Sequence, residues 1–504
     1  MKIKITRKLF KIFFPIFVII ILVFTLKGVP GNPTPEEIFK ELRSQAKPFE
    51  LSPERGRYAL ASTIAETGGV YFSKEVAYYV LPDLGYANGR FVSLFAPGVS
   101  LISLPLYVIG KYLNLAQVFT FATSSFFALL NVFLIAGIVK KVTKNIFCGI
   151  CAGGVFLFAT NALSYATTLY QHHITTFLIL TAVLVLISEI RFYTLFLVGS
   201  LYGTSLLVDY PNAVLFIPVV IFTLSKSIKI KEPEGKIDLW IDSKIITLFL
   251  GIFLFFIPNL VYNKIAYGNP FQLAGGVDNI REISEITRFS DFPSSIKSPT
   301  QSISSFFNIG NLPNSMSVLL TSKERGIFWF SPILLLGLLA IKPFYRKDKG
   351  LCLTLLAGVA ATLLLYGMWG DPWGGWAFGP RYLIPALGQL AIFLGVAVDK
   401  YARKPIFIVI FFLTLIYGVS VNLAGALTTN QIPPSIEGES IDIPKIPYLK
   451  NFDLMKHGLS GSFIYNSLFK NHLGLNLYYI IILAVALLTV TCAYVFSANE
   501  RREK

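Results

Sequence analysis

The sequence predicts an all-α polytopic integral membrane protein, with about twelve transmembrane helices and large extracytoplasmic loops. Composition is the first reason. Of 504 residues, 54% are hydrophobic and only 14% charged, where soluble domains carry about 25%. The second reason is where the charge sits. Basic clusters at residues 2–11, 140–144, 226–231, 342–349, 400–404 and 501–504 separate the apolar runs. One threading puts all six on one side, which the positive-inside rule makes the cytoplasm. Both termini are then cytoplasmic, in a multi-pass protein of the cell membrane. The net charge of +16 does not imply nucleic acid, because Lys and Arg lie in short groups at span ends rather than on one face or tail. Cys148, Cys151, Cys352 and Cys492 all fall in apolar spans, so no disulfide framework is expected, and the C-x-x-C spacing of the first two reads as packing.

Residues 12–26 follow a basic start and read as a retained first helix, since no small-x-small cleavage site precedes Pro30. The proline-rich outer segment 27–95 comes next, with amphipathic helices expected at 35–43 and 57–67. The run 97–113 is short and interrupted by Pro105, and a full crossing would force 140–144 outside; it reads as an interfacial or re-entrant piece leading into the span 116–139. Further spans are expected at 146–165, 174–187, 192–208, 211–224, 245–261, 327–341, 351–368, 383–398, 405–424 and 477–496. Outer segments 27–95, 263–325 and 425–476 are too long for plain connectors. The organisation expected is a transmembrane catalytic region, 1–424, followed by a C-terminal part, 425–504, that holds an outer loop and the last helix. No internal repeat argues for a two-halves transporter.

Three constellations carry chemistry. The stretch WGDPWGGWAFGPRY, 369–382, places Asp371, Trp373, Trp376, Arg381 and Tyr382 where an apolar helix meets the exterior. Interfacial aromatic belts are common, but a belt needs neither Gly-Gly nor an Arg at a helix entry, and Arg381 has the bidentate fork that suits phosphate. In the first outer loop, SPERGRYALA (52–61) and PDLGYANGRFVSLFAPG (82–98) offer Glu54, Arg57 and Asp83. Glu54 has a second reading as a first-turn charge on its helix. Asp209, wedged between apolar helices, is costly at that depth unless paired or facing water, with an N-cap ahead of Pro211 as the alternative. His172 and His173 point in different directions on a helix; one suits a phosphate or sugar contact, and no two-His metal site is expected.

The order of these pieces resembles polytopic GT-C glycosyltransferases related to the dolichyl-phosphate-mannose protein mannosyltransferases. An acid precedes R-Y-A-L, then come D-x-G-Y-x-N-G-R-F and A-P-G-x-S-L-x-S-L-P-L-Y, then Y-G-N-P-F (267–271), E-R-G-I-F-W-F-S-P (324–332) and W-G-G-W-A-F-G-P-R-Y (373–382). Together these cover residues 50–390. Where such enzymes often carry Asp-Glu, this chain reads Pro53-Glu54, so only Glu54 inherits the carboxylate role. The resemblance implies transfer of a sugar from a polyprenyl-phosphate carrier to a glycan, lipid or protein hydroxyl on the outer face, with inversion. In that scheme Glu54 is the base. Arg381 first and Arg57 second receive the leaving phosphate, with His172 beside them. Asp209 and Asp83 orient the acceptor or, as the lesser alternative, hold a divalent cation with Glu54; no residue set is assigned as a metal site. Trp373, Trp376, Asp371 and Tyr382 bind substrate, and membrane lipids surround the spans. The rival readings are a lipid or polysaccharide flippase, which needs ionisable residues at the midplane and broken helices, and a silent membrane scaffold.

Overall fold

The computed structural model describes residues 2–188, 191–231, 238–280, 307–434, 436 and 445–500. The basic cluster 501–504 and residues 281–306 of the second long outer segment lie outside the described residues. The principal helices are α1 (Lys2–Thr25), α2 (Ser52–Thr67), α3 (Gly98–Tyr112), α4 (Ala116–Thr143), α5 (Ile146–Phe158), α6 (His172–Leu186), α7 (Phe192–Val208), α8 (Ile217–Ser227), α9 (Ile245–Tyr267), α10 (Lys349–Met368), α11 (Ile384–Tyr401), α12 (Pro405–Leu427) and α13 (Leu475–Glu500). Among the described residues, seven helices are long and apolar enough to cross a membrane: α1, α4 and α9 to α13. Five shorter apolar helices join them.

Burial sorts these helices into layers. Every α11 residue from Ile384 to Val398 is buried, as an apolar helix without a polar face must be when it occupies a core. Helices α4, α5, α6 and α10 pack around it. By contrast α9 leans on α7 and leaves Ile246, Phe249, Leu250, Phe253 and Leu254 exposed, a surface suited to lipid. The α7–α9 contact is close because Gly199 has no side chain: a Cβ there would lie 2.0 Å from the Leu248 carbonyl oxygen.

Two expected segments behave differently. The run 327–341 is not one α-helix. It forms a short turn, Ile327–Phe330, then a 3₁₀ stretch, Pro332–Ala340, then a second short helix, Ile341–Lys347. Pro332 supplies no N–H to continue the first turn, and Gly337 lies against α11, where a Cβ would meet the Leu394 nitrogen at 2.9 Å. Tertiary packing has stretched this piece. The run 97–113 is the continuous helix α3, whose 15 residues span about 22 Å, short of the roughly 30 Å hydrocarbon core.

The outer segments build a cap. Strand β1 (Leu84–Ala87) pairs antiparallel with β2 (Arg90–Ser93) across Asn88-Gly89, both with positive φ as a tight hairpin requires. Strand β3 (Asp278–Ile280) adds to the other edge of β1, which joins the first outer segment to the second. The C-terminal outer segment is tied in by a buried charge cluster. Lys27 Nζ donates to Glu50 Oε1 at 2.6 Å, with both side chains wholly buried. The same carboxylate accepts from Thr429 Oγ1 at 2.6 Å and from the Asn430 backbone at 2.7 Å. Lys27→Met would leave this carboxylate with no cation, so we expect a loss of about 3–5 kcal/mol, read as a lower unfolding temperature in detergent. Adding Glu50→Gln to Lys27→Met should recover part of it.

Candidate functional site

The site is assembled from α2 upward. Pro53 and Glu54 stand in the first turn of α2, and the Leu51 N–H donates to Glu54 Oε1 at 2.9 Å, so Glu54 does cap its helix. That contact uses one oxygen. The side chain is wholly buried, and Oε2 has no hydrogen-bond partner among the described residues. Burial, reinforced by the nearby Glu50 charge and opposed by Lys27, pushes the Glu54 carboxyl up to about 8.

One turn on, Arg57 is held from three directions. Its guanidinium donates to the Pro53 carbonyl at 2.9 Å and to Gln171 Oε1 at 2.7 Å, and stacks over the Phe95 ring at 4.6 Å. Burial lowers it to about 10, so it stays cationic at neutral pH. Gln171 Nε2 then donates to Asp209 Oδ2 at 3.0 Å. Arg57, Gln171 and Asp209 thus form one relay. The Asp209 side chain does not cap the next helix, which begins after Pro211 without a side-chain cap. Burial raises the Asp209 carboxyl above its ordinary range against the pull of Arg57.

Tyr170 is the hub. Its ring lies 5.5 Å from the Arg57 guanidinium carbon and 5.5 Å from that of Arg381. The His172 imidazole stacks on the same ring at 5.7 Å and 12°. Arg381 also lies over Tyr382 at 5.2 Å, and Tyr382 stacks on Tyr366 at 4.3 Å. The Tyr170 hydroxyl, His172 Nε2, Arg57 Nε and Arg381 Nε are buried without hydrogen-bond partners among the described residues. Aromatic planes therefore fix the two cations while leaving donor groups uncommitted.

The remaining predicted residues are engaged elsewhere. Asp371 accepts from the Gly374 N–H at 3.1 Å and the Gly375 N–H at 2.6 Å, so it shapes the Gly-Gly turn. Trp373 is half-buried, and its carbonyl accepts from Arg325 Nε at 2.8 Å. Trp376 packs against the main core. Asp83 accepts from Ser52 Oγ at 2.5 Å, beside the start of α2. His173 is structural, with Nε2 2.8 Å from the Ala162 carbonyl. No group of three His, Cys, Asp or Glu side chains gathers in metal-binding fashion among the described residues.

Tyr170, Gln171 and Arg325 were not singled out from the sequence as site residues. Arg325 is fully buried and reaches the carbonyls of Trp373, Gly375 and Ile432, which fixes the WGGW loop. Gly374 sits at φ +70° with Arg381 behind it; a Cβ would lie 2.9 Å from Arg381 Nε. Gly374→Ala should therefore displace Arg381 and cost about 1–3 kcal/mol of backbone strain, seen as earlier unfolding in detergent.

No family model matches the sequence, and no curated protein matches it significantly. Among solved structures, the apo crystal structure of ArnT from Cupriavidus metallidurans aligns over 97% of this chain and 77% of its own, at 12% identity and a TM-score of 0.51. The same protein bound to undecaprenyl phosphate aligns over 96% and 76% at 12% identity, TM-score 0.46. The archaeal oligosaccharyltransferase AglB from Archaeoglobus fulgidus aligns over 82% of this chain and 56% of its own at 11% identity, TM-score 0.46. The first likeness is one of fold: this chain shares the helical membrane architecture of ArnT.

Proposed function

We propose that this chain is a membrane glycosyltransferase that moves a sugar from a polyprenyl-phosphate carrier to an acceptor hydroxyl on the extracytoplasmic face, with inversion. The carrying observation is the pair of guanidiniums, Arg57 and Arg381, each 5.5 Å from the one Tyr170 ring. A buried carboxyl stands on the same helix as Arg57, one turn earlier. A phosphate leaving group departs as an anion and needs no proton, so fixed cations replace the general acid.

In this reading the Glu54 carboxylate takes the proton of the acceptor hydroxyl while that oxygen attacks the anomeric carbon. The bond from that carbon to the phosphate oxygen breaks, and its electron pair leaves with the phosphate toward Arg381, Arg57 and His172. Asp209, tied to Arg57 through Gln171, keeps the second cation in place. The aromatic floor of Tyr170, Tyr366 and Tyr382 excludes water from the developing charge.

The test is transfer of radiolabelled sugar from polyprenyl-phosphate donors in reconstituted vesicles supplied with total membrane extract as acceptor. Transfer by wild type supports the reading. Donor binding with no transfer from any donor would move it to a flippase or scaffold.

A further inference from the structure

Helix α2 has a second working face. Beyond the buried end that carries Glu54, the residues at four-residue spacing, Tyr58, Ser62 and Glu66, continue one ridge along the helix. All three line a cavity of about 560 Å³ in the outer cap. Its other walls come from residues 32–35 and 71–79 and from α3, through Tyr71, Phe72, Tyr79, Tyr107 and Lys111. A second cavity, of about 620 Å³, shares Thr34 and Pro35 with the first and is walled by Phe39, Tyr78, Glu36 and Glu75. Adjoining at Thr34 and Pro35, the two make a trough whose lining reaches Tyr58, one turn along α2 from Glu54.

The lining selects the occupant. Aromatic faces alternate with hydroxyls and carboxylates, while long aliphatic side chains are few, which suits a polyol better than a lipid tail. Tyr58 is only 3% exposed, and its hydroxyl has no hydrogen-bond partner among the described residues. It lines the trough as an unpaired polar group. Glu66 is built in: Tyr107 donates to one oxygen at 2.8 Å, and Lys111 pairs with the other. Of the charged side chains that line the two cavities, three are carboxylates, Glu36, Glu66 and Glu75, and one is a cation, Lys111; Lys40 pairs with Glu36 from outside the lining. That excess of negative charge disfavours anionic glycans.

We infer that the trough is an oligosaccharide-binding subsite, selective for neutral or amine-bearing glycans over acidic ones. Its role as the acceptor-side subsite rests on the transferase reading above; binding itself does not. The ridge from Glu66 back to Tyr58 would then lead the glycan toward Glu54.

The test uses the full chain in lipid nanodiscs and measures binding of chitotetraose, its de-N-acetylated amine form, and a sulfated heparin tetrasaccharide by saturation-transfer NMR and calorimetry. The amine form should bind, chitotetraose more weakly, and the sulfated form not at all. Glu66→Gln should weaken the amine form about tenfold, the loss of one charge-assisted hydrogen bond. Thr67→Trp, at an exposed position on the trough wall, should block all glycan binding while leaving undecaprenyl-phosphate binding unchanged. Equal binding of the sulfated form, or glycan binding that survives Thr67→Trp, overturns the inference. No binding by any of the three also overturns it. If glycans bind as expected but no sugar is transferred, the subsite stands and the transferase reading falls.

Discussion

Arg381→Ala is expected to lower sugar transfer by about a hundredfold to a thousandfold without unfolding the chain. The guanidinium is held by aromatic faces, Tyr170 at 5.5 Å and Tyr382 at 5.2 Å, rather than by a buried carboxylate. Its removal leaves Asp209 still tied to Arg57 through Gln171. The stacked pair Tyr366–Tyr382 and the backbone of α11 should persist. What disappears is the cation proposed to receive the leaving phosphate. Arg381→Lys keeps the charge but loses the planar fork, so it should recover part of the rate and less of the donor affinity. Steady-state transfer with varied donor separates these effects. Near-wild-type turnover in Arg381→Ala would falsify the phosphate role.

Glu54→Gln is expected to reduce turnover by about a hundredfold to ten-thousandfold, with donor binding retained. Glutamine can still accept the Leu51 N–H through its carbonyl oxygen, so the helix start survives. The pH dependence is the sharper signature. With its carboxyl near 8, Glu54 is mostly protonated at neutral pH and cannot act as a base. Transfer should rise with pH through about 8 and then level off. Stability should move the other way. The folded chain holds this proton above the ordinary value of 4.5, so between about 4.5 and 8 it binds more protons than the unfolded chain. The contribution of this group to stability is therefore greatest at the low end of that window and falls as pH rises across it. Glu54→Gln should remove that slope and be relatively more stable at pH 9. A flat rate profile from pH 6 to 9, or full activity in Glu54→Gln, would sink the base assignment.

The membrane architecture was legible because apolar runs and basic breaks are local signals. α11 and α12 were expected almost where they lie, since nothing within them competes with helix formation. The 3₁₀ stretch Pro332–Ala340 was not legible, because its pitch follows from how Gly337 meets α11. At the site, charged residues in unusual settings stood out: Arg57, Asp209 and Arg381 are coupled electrostatically in the fold. Asp371 stood out too, yet its oxygens are used by two glycine N–H groups. Tyr170 and Gln171 were seen only as part of the turn that carries the His pair and were given no role. A phenol and an amide have no diagnostic spacing, and their role depends on contacts more than a hundred residues away in sequence, as between Arg57 and Gln171. Arg325 was hidden inside E-R-G-I-F-W-F-S-P for the same reason.

The Lys27–Glu50 pair sets a timetable for biosynthesis. Its carboxylate finds two of its donors at Thr429 and Asn430, the former 379 positions downstream. During synthesis the segment 27–95 emerges early, carrying a lysine and a glutamate destined for burial. It must wait until α12 has been threaded before its polar groups are fully matched. Long-range closure of this kind is slow, and the waiting segment exposes an unfinished surface in the meantime. Completion of the cap around Glu54 is thus a late event in the life of the nascent chain, and this carboxyl cannot reach its buried setting before nearly the whole bundle is in place.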